Sequence, residues 1–146
     1  MKYYAYDEFK KDTVALLKKI ETQNYDAIVG IARGGLMLSH ALSEALSIRN
    51  VQTLRTELYD DSVKRKEFLL HDNTAFKDER RVLVVDDIAD SGETFLKVMQ
   101  YLRAKYPDIE FVSIALFYKK SSVYEPTFWV NEATEWIEFF WERDFK

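Results

Sequence analysis

Apolar and polar positions follow two rhythms along this chain. Phe9, Thr13, Leu16, Leu17 and Ile20 recur at helical spacing, with Lys10, Lys11, Lys18 and Lys19 left for solvent, and Asp7 stands where a helix N-cap is expected. Three other stretches are almost wholly apolar: Ala27 to Ala32 (AIVGIA), Arg81 to Val85 beyond its first residue, and Phe111 to Tyr118 (FVSIALFY). Short runs of this kind predict strands buried on both faces, as in parallel sheets. Leu36 to Leu46 has helical composition, and so does the stretch from about Thr94 to Tyr106, which Pro107 stops. Val51 to Tyr59 opens with β-branched alternation and reads as a further strand. Strands alternating with helices predict right-handed βαβ units, a mainly parallel sheet and ligands beyond the carboxyl ends of its strands.

Two stretches break the alternation. Asp60 to Arg80 is polar, highly charged and without strong periodicity, which in a segment of this length points to a functional or mobile loop. From Ser121 to Lys146 the chain crowds Phe128, Trp129, Trp136, Phe139, Phe140 and Trp141 among Glu132, Glu135, Glu138 and Glu142. That pattern suits neither a simple strand nor a simple helix, and it predicts a small hood over the sheet edge. The expectation is one α/β domain over 1–146, with a core to about residue 120 and the hood from about 121.

Composition narrows the possibilities. With 146 residues, 47% hydrophobic and 15% aromatic, the chain has material for a real core, so disorder is not expected. It has no cysteine, hence neither a disulfide framework nor a zinc-thiolate site. MKYYAYDEFKK lacks the apolar region of a signal peptide, and no run approaches the roughly 20 apolar residues that span a bilayer. A cytoplasmic protein without a transmembrane segment is expected. A net charge of −4 weighs against nucleic-acid binding, with Lys64-Arg65-Lys66 as a local exception.

The candidate chemistry lies at the predicted strand ends. In VLVVDDIADSGET the apolar run leads into Asp86 and Asp87, two adjacent carboxylates able to bind Mg²⁺ or sugar hydroxyls, and then into Asp90, able to handle a proton. An Asp-Asp pair alone is equally what a solvated turn looks like. Gly92 permits a tight turn, and a helix starting near Thr94 offers backbone N–H groups and a positive dipole end, a natural seat for phosphate. Arg33-Gly34-Gly35 sits in the same context, after a strand and before a helix. Glycine pairs often only punctuate loops, but here the backbone N–H groups would form an anion nest beside the Arg33 charge.

The apolar run, Asp86-Asp87, two apolar residues, Asp90-Ser91-Gly92, Glu93 and Thr94 together resemble the 5-phosphoribosyl-1-pyrophosphate motif of type I phosphoribosyltransferases. The narrower similarity is to the purine-salvage branch, the xanthine, guanine and hypoxanthine phosphoribosyltransferases, from Ile28 to about Trp141. That resemblance implies the family's fold, with a mainly parallel central sheet flanked by helices and a small C-terminal hood. It implies Mg²⁺-dependent transfer of ribose 5-phosphate from phosphoribosyl pyrophosphate to a purine nitrogen. Arg33, Gly34 and Gly35 would bind pyrophosphate, Asp86 and Asp87 the ribose and the metal, and Ala89 to Thr94 the 5′-phosphate, with Asp90 as the general base. Lys119 would meet the exocyclic oxygen of the purine, Trp136 would stack on the base and Ile137 would contact its edge. Tyr59, Arg65 and Lys66 would belong to a lid, although Lys64 to Lys66 also reads as a solvated loop. A homodimer or homotetramer is implied too.

Three positions depart from the family pattern. Ser91 replaces the commoner threonine, though its hydroxyl still donates to phosphate. Leu58-Tyr59 stands in place of the lid's Ser-Tyr pair, and Phe140 in place of the proline before the final tryptophan. An orotate- or adenine-type phosphoribosyltransferase is the nearer alternative, against which Lys119 and Trp136 weigh. A nucleic-acid-binding regulator of the same fold would need a basic face that this chain lacks. A receiver domain carries its paired acids after its first strand, whereas two strand-helix units precede Asp86 here.

Overall fold

The computed structural model describes residues 1–20, 24–60 and 66–146. In chain order the elements are β1 (Lys2–Tyr4), α1 (Tyr6–Ile20), β2 (Ala27–Ala32), α2 (Leu36–Leu46), β3 (Val51–Asp60), β4 (Lys66–Asp72) and β5 (Arg81–Val85). They continue with β6 (Ile88–Ala89), α3 (Glu93–Lys105), β7 (Glu110–Ile114), β8 (Phe117–Tyr118), β9 (Asn131–Glu132), β10 (Ile137–Phe139) and α4 (Phe140–Arg143). The central sheet runs β4-β3-β2-β5-β7, parallel throughout except where β4 turns back antiparallel on β3.

The apolar runs form central strands because both of their faces are covered. Ile28, Leu83 and Val85 face α1, α2 and the hood, packing with Leu16, Ile20, Leu38 and Leu42. Ala27, Val29, Val82 and Val84 face the other way, against Phe95, Val98, Met99 and Leu102 of α3. This is the two-residue period of a strand read from both sides.

Three sequence expectations change. Asp7 does not cap α1; it lies inside the first turn, and the Ala5 N–H instead donates to the Glu8 carboxylate at 3.0 Å, the reach-back half of a capping box. Phe111 to Tyr118 is not one strand. β7 ends at Ile114, and β8 belongs to a separate three-stranded sheet ordered β6-β8-β9. All residues from Phe111 to Phe117 are buried, so the hydrophobic pattern carries no sign of the break. Finally, the polar stretch after Asp60 contains β4, which forms a hairpin with β3 in a register running from Leu54↔Asp72 to Asp60↔Lys66. An edge strand faces solvent, and its mixed polarity hides its period. No helix among the described residues is long and apolar enough to cross a membrane.

The hood is tied to the opposite end of the chain. β10 pairs in parallel with β1, Lys2↔Ile137 to Tyr4↔Phe139, and aromatic rings fill the space beneath. Tyr4 meets Phe117 edge-on at 5.0 Å and Phe139 at 5.5 Å, while Phe139 stacks on Trp141 at 4.7 Å.

Candidate active site

The loops that follow β2, β5 and β8 converge beyond the carboxyl ends of their strands. At the end of β5, Asp86 and Asp87 are each only 9% exposed. The Asp86 N–H donates to the Ile114 carbonyl at 3.2 Å, and the Asp87 carbonyl accepts from Leu116 and Phe117 at 3.0 and 3.2 Å, so the β7-β8 corner fixes this turn. The Asp87 N–H donates to Asp86 Oδ1 at 2.8 Å. Burial, and then the neighbouring Asp87 charge, push the Asp86 carboxyl well above its usual range. Burial likewise pushes Asp87 up to about 6, with the Glu142 charge adding to it. Among the described residues no lysine or arginine forms an ion pair with either acid. Two buried, uncompensated carboxylates suit a hard divalent cation that takes its other ligands from water and substrate oxygens.

The sign of this perturbation gives a first prediction. A carboxyl raised from about 3.9 in the unfolded chain favours the fold below that value and loses its contribution as pH climbs through the folded value. The lowered carboxyls Glu8, Asp26, Glu57, Asp72 and Glu135 act in the opposite sense, but only below about pH 5. The metal-free protein is therefore expected to melt higher at about pH 5 than at about pH 7.5, with Asp87→Asn flattening the slope. Thermal denaturation across that window checks it, and a melting temperature that rises with pH would contradict it.

Past Asp87 the chain forms β6 and turns at Asp90, Ser91 and Gly92 into α3. Gly92 has φ +84 and ψ −3, a conformation L side chains rarely adopt, and as the N-cap residue it brings no side chain of its own to the start of α3. A Cβ on Gly92 would also run into Ser122 and the backbone N of Tyr124. The Ser91 carbonyl accepts from Val123 at 2.8 Å and its hydroxyl from the Glu93 N–H at 3.3 Å. A cavity of about 220 Å³ lies in this turn, lined by Asp86 to Gly92 and Thr94; Glu93 begins α3 and is exposed outside it.

The Arg33-Gly34-Gly35 loop covers the acids from the other side. The Ala32-Arg33 peptide is cis, and the Gly35 N–H donates to the Ile31 carbonyl at 2.8 Å. A Cβ on Gly34 would stand 2.5 Å from Asp87 Oδ2, so only glycine lets the loop come this close. Arg33 and Gly34 line a cavity of about 540 Å³ together with Asp86, Asp87, Thr94 and Thr56.

A third cavity, of about 300 Å³, opens under the hood. Lys119, Trp136, Ile137, Asp90 and Asp87 all line it, which brings together residues that the sequence placed far apart. Lys119 Nζ lies 3.6 Å from Asp90 Oδ1. Trp136 is 68% exposed, its ring free at the rim, while its carbonyl accepts from the Lys2 N–H at 2.8 Å. Asp87 belongs to all three cavities, and Asp90 to two of them.

Of the residues expected in a lid, Tyr59 and Lys66 stand toward the turn end of the β3-β4 hairpin, opposite Glu67 and Asp60, and Arg65 lies outside the described residues. The sequence reading missed Glu142, which borders both the hood cavity and the Arg33 cavity and whose carboxyl is raised by burial. It also missed Thr56 and Lys146. Acids recur throughout the hood, so nothing in the pattern separates Glu142 from Glu135 or Glu138.

Residues 3–145 match the phosphoribosyl transferase domain. The chain is 31% identical over 145 residues to the xanthine-guanine phosphoribosyltransferase of Idiomarina loihiensis, covering 96% of this chain and 86% of that one. Among solved structures, the xanthine-guanine-hypoxanthine phosphoribosyltransferase of Helicobacter pylori superposes with a TM-score of 0.93 at 35% identity, over 99% of this chain and 95% of that one. A purine phosphoribosyltransferase from Pyrococcus horikoshii follows at 0.87 and 27%, covering 97% and 93%. The motif at the end of β5, the glycine loop beside it and a match over nearly the whole length agree: the chain belongs to the phosphoribosyl transferase family, with the type I fold.

Proposed function

We propose that the chain is a Mg²⁺-dependent 6-oxopurine phosphoribosyltransferase that makes a purine nucleoside 5′-monophosphate and pyrophosphate from phosphoribosyl pyrophosphate and xanthine, guanine or hypoxanthine. The observation that carries this reading is the meeting of three cavities at Asp87: a phosphate turn, an arginine-glycine loop and a base-sized pocket holding Lys119 and Trp136. The relatives named above bear purine phosphoribosyltransferase names, which supports the same substrate class.

Each residue then has a task. Ser91, Gly92 and Thr94, with Ala89 behind them, seat the 5′-phosphate at the start of α3. Asp86 and Asp87 orient the ribose hydroxyls and would hold Mg²⁺, which supplies Lewis-acid neutralisation of the pyrophosphate it helps to bind. Arg33 and the Gly34-Gly35 backbone hold the pyrophosphate as it leaves. Trp136 lies against the purine face, Ile137 against its edge, and Lys119 donates to the exocyclic oxygen. Asp90 lines the same cavity and is assigned the proton of the purine's imidazole ring, which it takes as the new N–C bond forms. Tyr59, Arg65 and Lys66 are assigned to a lid that keeps water, the competing nucleophile, from the sugar. We assign the protein to the cytoplasm, as a homodimer or homotetramer.

The test is a direct assay with phosphoribosyl pyrophosphate and Mg²⁺ against xanthine, guanine, hypoxanthine, adenine and orotate in turn. Turnover is expected with one or more of the first three; turnover with adenine or orotate alone would reject the base assignment. Lys119→Ala is expected to raise the KM for the purine roughly 10- to 100-fold, the loss of a charged hydrogen bond, with little change in that for phosphoribosyl pyrophosphate. An unchanged purine KM would show that Lys119 does not read the base.

A further inference from the structure

Asp12 lies on α1, is only 8% exposed and lines none of the three cavities. Its Oδ2 accepts two hydrogen bonds from distant parts of the chain: the Tyr4 hydroxyl at 2.6 Å and Asn131 Nδ2 at 2.8 Å. Burying a carboxylate on two neutral donors is an expensive way to join two strands, since an apolar contact would serve packing as well. What the two donors carry supplies a reason.

Tyr4 ends β1, whose partner β10 presents Ile137 and Phe139 to the hood cavity, with Trp136 held just before it by the Lys2 N–H. Asn131 opens β9, which pairs with β8 in the register Phe117↔Asn131 and Tyr118↔Glu132. Lys119 follows directly on Tyr118, and its N–H donates to the Ala89 carbonyl at 3.0 Å. One oxygen atom thus joins the strand pair bearing the stacking side of the pocket to the pair bearing Lys119.

We infer that Asp12 is a positioning residue for the purine pocket, setting the separation between Trp136-Ile137 and Lys119 through Tyr4 and Asn131. This rests on the assignment of that pocket to the base. Displacing one wall by a fraction of an ångström should weaken the grip on the purine and leave the phosphate turn and the Arg33 loop untouched.

The experiment is steady-state kinetics on the full chain. Asp12→Ala is expected to raise the purine KM about tenfold while the KM for phosphoribosyl pyrophosphate and kcat stay within about twofold. Asp12→Asn, which keeps an acceptor in place, should bring the purine KM back to within about twofold of the parent. Tyr4→Phe removes one bond and keeps the ring packing, so it decides the matter if Asp12→Ala does not fold; its purine KM should rise about threefold. The inference is overturned if melting temperatures fall while the purine KM stays put, or if both substrates weaken alike. Lys119→Ala, measured alongside, separates the two claims. If it raises the purine KM and the Asp12 and Tyr4 variants do not, the positioning role falls alone; if none does, the base assignment falls and takes the role with it.

Discussion

Asp90→Asn is expected to lower kcat by roughly 10²- to 10⁴-fold, the range a positioned general base contributes, with the affinity for phosphoribosyl pyrophosphate held within about twofold. Asp90 sits at the seam of two cavities, bordering both the phosphate turn and the pocket under the hood. Asparagine has the same shape and still accepts a hydrogen bond, so the turn should keep its form. What it lacks is a carboxylate to take the purine proton. Its neighbour Lys119, 3.6 Å away, also loses its counter-charge, and a modest rise in the purine KM should accompany the fall in kcat. Rate measurements at saturating substrates and calorimetric titration of phosphoribosyl pyrophosphate read the two quantities separately. A kcat within about threefold of the parent would remove Asp90 from the proton transfer.

The second large effect concerns the glycine loop, where two adjacent residues should fail in different ways. A Cβ at Gly35 would overlap the Val85 carbonyl and stand 3.0 Å from both Asp86 Cα and the Ile31 carbonyl. All three are backbone atoms, Ile31 and Val85 in the paired strands β2 and β5 and Asp86 directly after β5, and none can swing aside. Gly35→Ala should therefore destabilise the protein by about 1–3 kcal/mol, a strain of the overpacking kind, and abolish measurable turnover. At Gly34 the obstacle is the Asp87 carboxylate, a side chain able to rotate. Gly34→Ala should fold with nearly the parent melting temperature yet bind phosphoribosyl pyrophosphate at least about tenfold more weakly, because Asp87 has been turned from its place. Equal melting temperatures for the two variants would contradict this account.

Much of this site was legible in the sequence, for an identifiable reason. Strands buried on both faces must be apolar at every position, so Ala27 to Ala32 and Arg81 to Val85 announced their own ends, and the chemistry had to follow where the apolar run stopped. Asp86 to Thr94 and Arg33 to Gly35 were found in this way, and the helix beginning at Glu93 was placed within one residue. The same rule failed at Phe111 to Tyr118, where uninterrupted burial concealed a change of sheet at Ala115 and Leu116. β4 was missed for the opposite reason, because an edge strand answers to water on one side and its pattern thins out. Lys119 and Trp136 were found by resemblance, and their meeting in one cavity depends on long-range packing that no local pattern encodes. Glu142 and Asp12 meet neighbours remote in sequence, and each looks locally like any other acid on a helix.

The pairing of β1 with β10 has a bearing on the order in which the molecule assembles. The turn at Asp90 to Gly92 lies within one strand-helix unit, and the hydrogen bonds that brace it and the two acids before it, to Ile114, Leu116 and Val123, span far less of the chain than the pairing of β1 with β10. The wall of the base pocket instead needs Lys2 to Tyr4 to meet Ile137 to Phe139 across nearly the whole sequence. Loop closure over such a span is entropically late, so the turn proposed to seat the sugar phosphate should be in place before the pocket proposed for the base. During synthesis Lys2 to Tyr4 must wait until Ile137 to Phe139 are made, so the wall under the hood closes after the turn beyond β5.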